Sequence, residues 1–152
     1  MEKIFIFTHS AGFRHSYIPA AVETIVKLGE RSGKFEAIAS EECDELSRLL
    51  DENVFSGIVF LTTGEVPLDD EHKFKLIRFV EEGGAFIGVH NAADTLYKYP
   101  RYGEMLGGYF NGHPWTQEVG VIVEDRDHPS TRHLPEKFSV FEEVYTLSLI
   151  HI

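Results

Sequence analysis

Apolar residues fall along the first ninety positions in two alternating rhythms. Runs of strand length, "KIFIF" (3–7), "FEAIA" (35–39), "SGIVFLTT" (56–63) and "AFIGV" (85–89), alternate with stretches whose apolar residues recur three and four apart. The first such stretch carries Ile18, Val22, Ile25 and Leu28. It predicts a helix capped by Ser16, with Pro19 in its first turn and Gly33 at its end. The second predicts a short acidic helix capped by Ser40 and carrying Leu46, Leu49 and Leu50. The third begins at Asp69 or Asp70, sets Phe74, Ile77 and Val80 on one face, and stops at Gly83-Gly84.

The predicted order is β-α-β-α-β-α-β. Strands this apolar need cover on both sides, so the fold class is α/β. The expected layout is a flavodoxin-like or Rossmann-like doubly wound, mostly parallel sheet with helices on both faces. Beyond residue 90 the rhythm loosens. "EVGVIVE" (118–124) alternates like a half-exposed strand, "DRDHPSTRHLP" is a loop rich in turn formers, and "FEEVYTLSLIHI" begins as another strand. No repeat or linker divides the chain, so residues 1–146 read as a single domain. This layout usually has at least one more strand and helix, so the domain is expected to be incomplete at its C-terminus. "LSLIHI" resembles a translated sequencing-adapter sequence, and residues 147–152 are expected to be a non-native tail without functional weight.

Composition removes several classes of function. The chain has 152 residues, 43% of them hydrophobic, which suits a globular core. A net charge of -11 argues against a nucleic-acid backbone or an anionic membrane surface as the main partner. No segment approaches the roughly 20 apolar residues of a membrane-spanning helix. "MEKIFIFTHS" is too short in apolar residues for a signal peptide and reads as a first strand. Cys43 is the only cysteine, so no intrachain disulfide forms and the expected location is cytoplasmic. It falls within a predicted helix away from the strand ends, and is expected to be a small buried apolar group. A homo-oligomer is left open.

Ligands of open parallel sheets bind beyond the C-terminal ends of the strands. The loops there are "THSAGFRHS", "TTGEVP" and "HNAADT", which bring Arg14, His15, Thr63, Gly64, His90, Asn91 and Asp94. "GYFNGHP" adds His113 further on. His128 and His133 read as structural loop residues, and His72 as a solvated helix residue. "GAFIGVHNAADT" has the outline of a nucleophile elbow, a sharp strand-to-helix turn with small residues two places either side of its centre. Its central residue is His90, where Ser or Cys is usual. Gly64 could bring backbone N–H groups close to a ligand. Asp94 could interact with the N-terminus of the helix after the elbow, or orient the His90 ring. No GxGxxG, GxxxxGK[ST], CxxC or HExxH pattern occurs. No cofactor is expected, with a divalent metal such as Zn left open because several histidines and an Asp suit it.

The stretches "AGFRHSYIP", "FLTTGEVPLDDE", "EEGGAFIGVHNAADTLYKYPRYGEMLGGYFNGHP", "VEDRDHPSTRHLP" and "FEEVY" occur in that order. With them the chain resembles the ThuA-like family, named for trehalose utilisation, within the class I glutamine amidotransferase-like superfamily. The resemblance implies a flavodoxin-like sheet and a role in carbohydrate metabolism, on trehalose or related disaccharides and their keto derivatives. Amidotransferases use a Cys at the elbow; with His90 there, glutamine hydrolysis through a thioester is not expected. The expected catalytic residues are His90, Asp94 and His15, with Arg14, Thr63, Gly64, Asn91 and His113 binding a small-molecule sugar. Imidazole titrates near neutral pH and serves as general acid or base, which favours a sugar-processing hydrolase, lyase or isomerase. The alternatives are a non-catalytic carbohydrate-binding or regulatory protein, and a metal-dependent hydrolase.

Overall fold

Four of the predicted runs become β1 (Glu2–Phe7), β2 (Phe35–Ser40), β3 (Gly57–Phe60) and β4 (Ala85–Gly88). They form one parallel sheet in the order β2-β1-β3-β4, with Ile6 beside Val59 and Phe60 beside Gly88. The structure, a computed structural model, describes residues 1–149, so part of the expected tail at 147–152 lies outside the described residues. Met1–Phe110 together with Ser148 and Leu149 makes one compact unit and Asn111–Leu147 another.

Residue parity decides which face each strand residue covers. Phe5, Phe7, Ile58 and Phe60 pack with Leu46, Leu49 and Leu76 of the helices α2 (Cys43–Glu52) and α3 (Asp70–Glu81). Ile6, Val59 and Leu61 pack instead with Ile18, Val22 and Ile25 of α1 (Ile18–Ser32). The sheet is therefore covered on both faces, as its unbroken apolar strands require. Burying each of these phenylalanines contributes about 1.5–3 kcal/mol.

Several helix details differ from expectation. The N-cap of α1 is Tyr17, not Ser16, and no side chain caps it. Pro19 lies in the first turn, where its missing N–H costs nothing. Gly33 closes the helix at φ 62°, its N–H bonded to the Gly29 carbonyl. Ser40 Oγ accepts from Glu42 N–H at 3.1 Å, before α2 begins, so it leads into the helix without capping it. Asp69 does cap α3, accepting from His72 N–H at 2.8 Å. In α3 the fully buried positions are Leu76 and Ile77, while Phe74 is 48% exposed. Leu28 likewise faces out.

After β4 come a 3-10 helix, His90–Asp94, and a further helix, α4 (Pro100–Leu106). The loose pattern had hidden α4, a seven-residue helix with Pro at its start and two glycines at its end, Gly107 being its C-cap at φ 97°. In the second unit Thr116–Ile122 and Lys137–Glu143 pair antiparallel, with Val119 opposite Val140. No helix among the described residues is long and apolar enough to cross a membrane.

Candidate functional site

The order β2-β1-β3-β4 puts the topological switch between β1 and β3, where an open sheet offers its ligand crevice. Single parallel bridges join Ser10 to Thr63 and Gly64 to Thr95, so the loops leaving β1, β3 and β4 stay side by side past the strand ends. The residues expected at the site from the first, third and fourth loops are brought to one place.

The elbow is real, and it is strained. His90 adopts φ 44°, a left-handed conformation that a Cβ-bearing residue takes at a cost of about 1–3 kcal/mol. The small neighbours two places away are needed sterically. A Cβ on Gly88 would lie 3.1 Å from the Ala92 Cβ and 2.8 Å from Leu106 Cδ1. The chain then makes one turn of 3-10 helix, with Ala92 N–H bonded to the Val89 carbonyl at 3.0 Å. This turn ends because Thr95 extends to meet Gly64.

A buried polar network holds the elbow from below. Asn91 is 0% exposed. Its Nδ2 donates to the Thr62 carbonyl at 3.0 Å, and its Oδ1 accepts from the Tyr17 hydroxyl. Thr95 Oγ1 donates to the same Thr62 carbonyl at 2.9 Å. The Tyr102 hydroxyl donates to the Ala92 carbonyl at 2.8 Å, and burial pushes its phenol pKa up. Asn91 is thus a support of the elbow, its amide used up inside the protein, rather than a group facing a ligand. Thr95 lies in the "HNAADT" loop expected at the site, whereas Tyr17 and Tyr102 carried no such sign in the sequence; a Tyr ahead of an amphipathic helix does not show that it will reach a residue more than 70 positions away.

Above the elbow the rings of His15 and His90 meet edge to face, centroids 4.9 Å apart, with ring nitrogens within 4.8 Å of each other. Tyr17 touches both rings at 5.8 Å, and Phe13 meets His15 edge-on at 5.0 Å. Both histidines are half-buried. This cluster is the chemically capable part of the site: two imidazoles in contact, one of them on a strained turn.

The remaining expected residues divide. Thr63 is fully buried and its Oγ1 donates to the Phe13 carbonyl at 2.9 Å, so it braces the first loop. Gly64 N–H donates to the Asp94 carbonyl at 2.6 Å and is not offered to a ligand. Glycine is needed there for another reason: at φ 77°, a Cβ would sit 2.8 Å from Gly12 N. Asp94 Oδ1 accepts from the Tyr97 hydroxyl at 2.5 Å. Arg14 pairs with Glu41 at 2.8 Å, both half-exposed. His113 belongs to the second unit, where its ring stacks on Tyr145. His128 there completes a turn, its N–H bonded to Asp125 Oδ1 at 3.1 Å and its Nδ1 at 2.6 Å from Ser130 Oγ.

Two expectations need correction. Cys43 is not remote from the strand ends. It opens α2, and its Sγ lies 3.6 Å from Nδ1 of His9, just past β1. That nitrogen also lies 2.9 Å from the Glu41 carbonyl, which can only accept, so Nδ1 carries a proton and cannot take one from the thiol. Burial, then Asp44 and Glu42, push the thiol pKa up. Its burial and the two flanking carboxylates disfavour the thiolate. His72 is not simply solvated either: its side chain is 16% exposed, between Asp69 at 2.7 Å and Asp51 at 3.5 Å.

The strand order, the switch-point crevice and the elbow define an open α/β protein of flavodoxin-like layout. A family model described as ThuA, trehalose utilisation, matches residues 3–151, and the chain belongs to that family. Among solved structures, a ThuA-like protein from Bacteroides uniformis ATCC 8492 aligns with TM-score 0.78 at 24% identity, covering 96% of this chain and 61% of that one. A ThuA-like protein from Parabacteroides merdae ATCC 43184 aligns with TM-score 0.65 at 17% identity, covering 91% and 60%. The chain thus spans about three fifths of the length of either. No curated protein matches.

Proposed function

We propose that the protein is a sugar-processing enzyme that uses His90 and His15 as an acid/base pair on trehalose or a related keto-disaccharide. The observation that carries this reading is His90 itself: a non-glycine residue at φ 44°, at the exit of a central-sheet strand, with a second imidazole against it. Strain of this kind persists where the surroundings impose it, and such positions cluster at active sites. One imidazole, neutral, takes a proton from the substrate or from water. The other, protonated, gives one to the departing oxygen, so the pair ends one proton shifted and the count is conserved. The family's link to trehalose utilisation supports the choice of substrate class. In His90→Ala, turnover of a keto-disaccharide should fall by about 10² or more while sugar binding survives. Turnover at the wild-type rate would remove His90 from the chemistry.

A second reading has its own observation. Ring nitrogens within 4.8 Å of each other could share a divalent cation such as zinc. Elemental analysis of protein purified without added metal, then chelation, separates the readings. Stoichiometric metal and loss of activity on chelation would favour the metal-dependent hydrolase.

A further inference from the structure

We propose that Phe13 is the stacking platform for a pyranose ring in this crevice, a binding role beside the histidine pair. The inference rests on reading the crevice as a sugar site. Phe13 is 71% exposed, though a phenyl ring in water has no favourable partner. Single exposed apolar residues are ordinary on protein surfaces, but this one is held in place. Three hydrogen bonds fasten its loop to the extension of β3: Ala11 N–H to the Thr63 carbonyl at 2.9 Å, Thr63 N–H to the His9 carbonyl at 3.4 Å, and Thr63 Oγ1 to the carbonyl of Phe13 itself at 2.9 Å. The last comes from a fully buried residue. An ordered backbone therefore presents an exposed aromatic ring at the mouth of the switch-point crevice.

The neighbours set the chemistry of the ligand. The Phe13 and His15 rings meet at right angles with centroids 5.0 Å apart, and His15 in turn meets His90. A flat apolar face beside two groups that donate, accept and move protons suits a molecule with one C–H-lined face and a polar rim. A pyranose has that form: its axial C–H bonds lie against an aromatic face while its hydroxyls point outward to the imidazoles. Arg14, ion-paired to Glu41, adds charged hydrogen-bonding groups from the same loop.

The test uses the full chain with trehalose and methyl glucoside as probes. Binding is followed by calorimetry and by saturation transfer from aromatic protons, in the wild type, Phe13→Ala, Phe13→Leu, Phe13→Trp and His90→Ala. The wild type and Phe13→Trp should bind, with transfer concentrated on the C–H protons of one sugar face. Phe13→Ala and Phe13→Leu should each weaken binding at least fivefold at unchanged Tm. A smaller loss, recovery by Leu, or failure of the wild type to bind either probe overturns the proposal. The acid/base reading fails separately, if His90→Ala turns substrate over normally while the Phe13 variants still lose binding.

Discussion

The two sides of the elbow are built from opposite materials. Below it, Asn91, Thr62 and Thr95 are fully buried and hydrogen-bonded to one another, with the Tyr17 and Tyr102 hydroxyls closing the network. Above it, His15 and His90 are half-buried rings and Phe13 stands in solvent. Interactions on the lower side are short and polar, and all serve position. On the upper side the rings of Phe13, His15 and His90 meet edge to face. The difference separates a buried polar support from a cluster of rings within a single turn of chain, because Asn91 is fully buried and its neighbour His90 is only half-buried.

Substitutions should break this division in a graded order. Asn91→Ala is expected to cost most, about 3 kcal/mol, because it removes two hydrogen bonds of a fully buried amide, to the Thr62 carbonyl and from the Tyr17 hydroxyl, and leaves a cavity. Urea denaturation measures it, and a loss under about 1 kcal/mol would contradict the supporting role. Tyr102→Phe should cost about 1 kcal/mol by removing one hydrogen bond to the Ala92 carbonyl. His90→Gly should move the other way or not at all, with stability equal to the wild type or up to about 1 kcal/mol higher, since glycine relieves the positive φ. The same variant should lose turnover. A His90→Gly protein that is strongly destabilised would show the imidazole to be structural.

Smaller effects come from regions outside the elbow. Hydrogen bonding from Lys75 lowers the Asp51 pKa, and bonding from the His72 backbone and ring lowers that of Asp69. A depressed folded-state pKa means stability that is complete above the usual carboxylate range and is lost as pH falls through it, below about pH 4. Asp51→Asn should therefore flatten the acid limb of a Tm-versus-pH profile and leave neutral pH nearly unchanged. Least of all, Cys43 should react with iodoacetamide at pH 7 more slowly than free cysteine, because its thiol pKa is raised. Faster labelling would reopen the case for a nucleophilic thiol.

The sheet was legible in the sequence because its cause is local. A buried parallel strand must be apolar on both faces, so Ile4 to Phe7 and Ile58 to Phe60 declare themselves without their partners. The elbow was legible for a similar reason: Gly88, His90 and Ala92 are two residues apart, and the steric demand acts within that span. The helix caps were harder. Ser16 and Ser40 have the chemistry of caps, but where a helix starts depends on tertiary contacts, here on Tyr17 reaching toward Asn91. Which crevice residues face inward was least legible. Asn91 and His90 are equally polar in sequence, and only the turn's geometry assigns one to the interior and the other to the mouth. The placement of Cys43 beside His9 depends on a strand pairing between residues more than 30 positions apart, a distance no local pattern carries.

The single-residue bridges from Ser10 to Thr63 and from Gly64 to Thr95 have a consequence for when the site exists at all. Each joins segments distant in sequence, and neither can form before the strands behind it have aligned. Contacts of such long range are expected late in folding, since their loop-closure entropy must first be offset by other pairings. The crevice is then a readout of the whole sheet: a lesion anywhere that lets β1 and β3 slip would erase it before the secondary structure changes. Amide hydrogen exchange offers the check. Ala11 and Gly64, which donate across these junctions, should exchange only as slowly as the least stable of the strands they join.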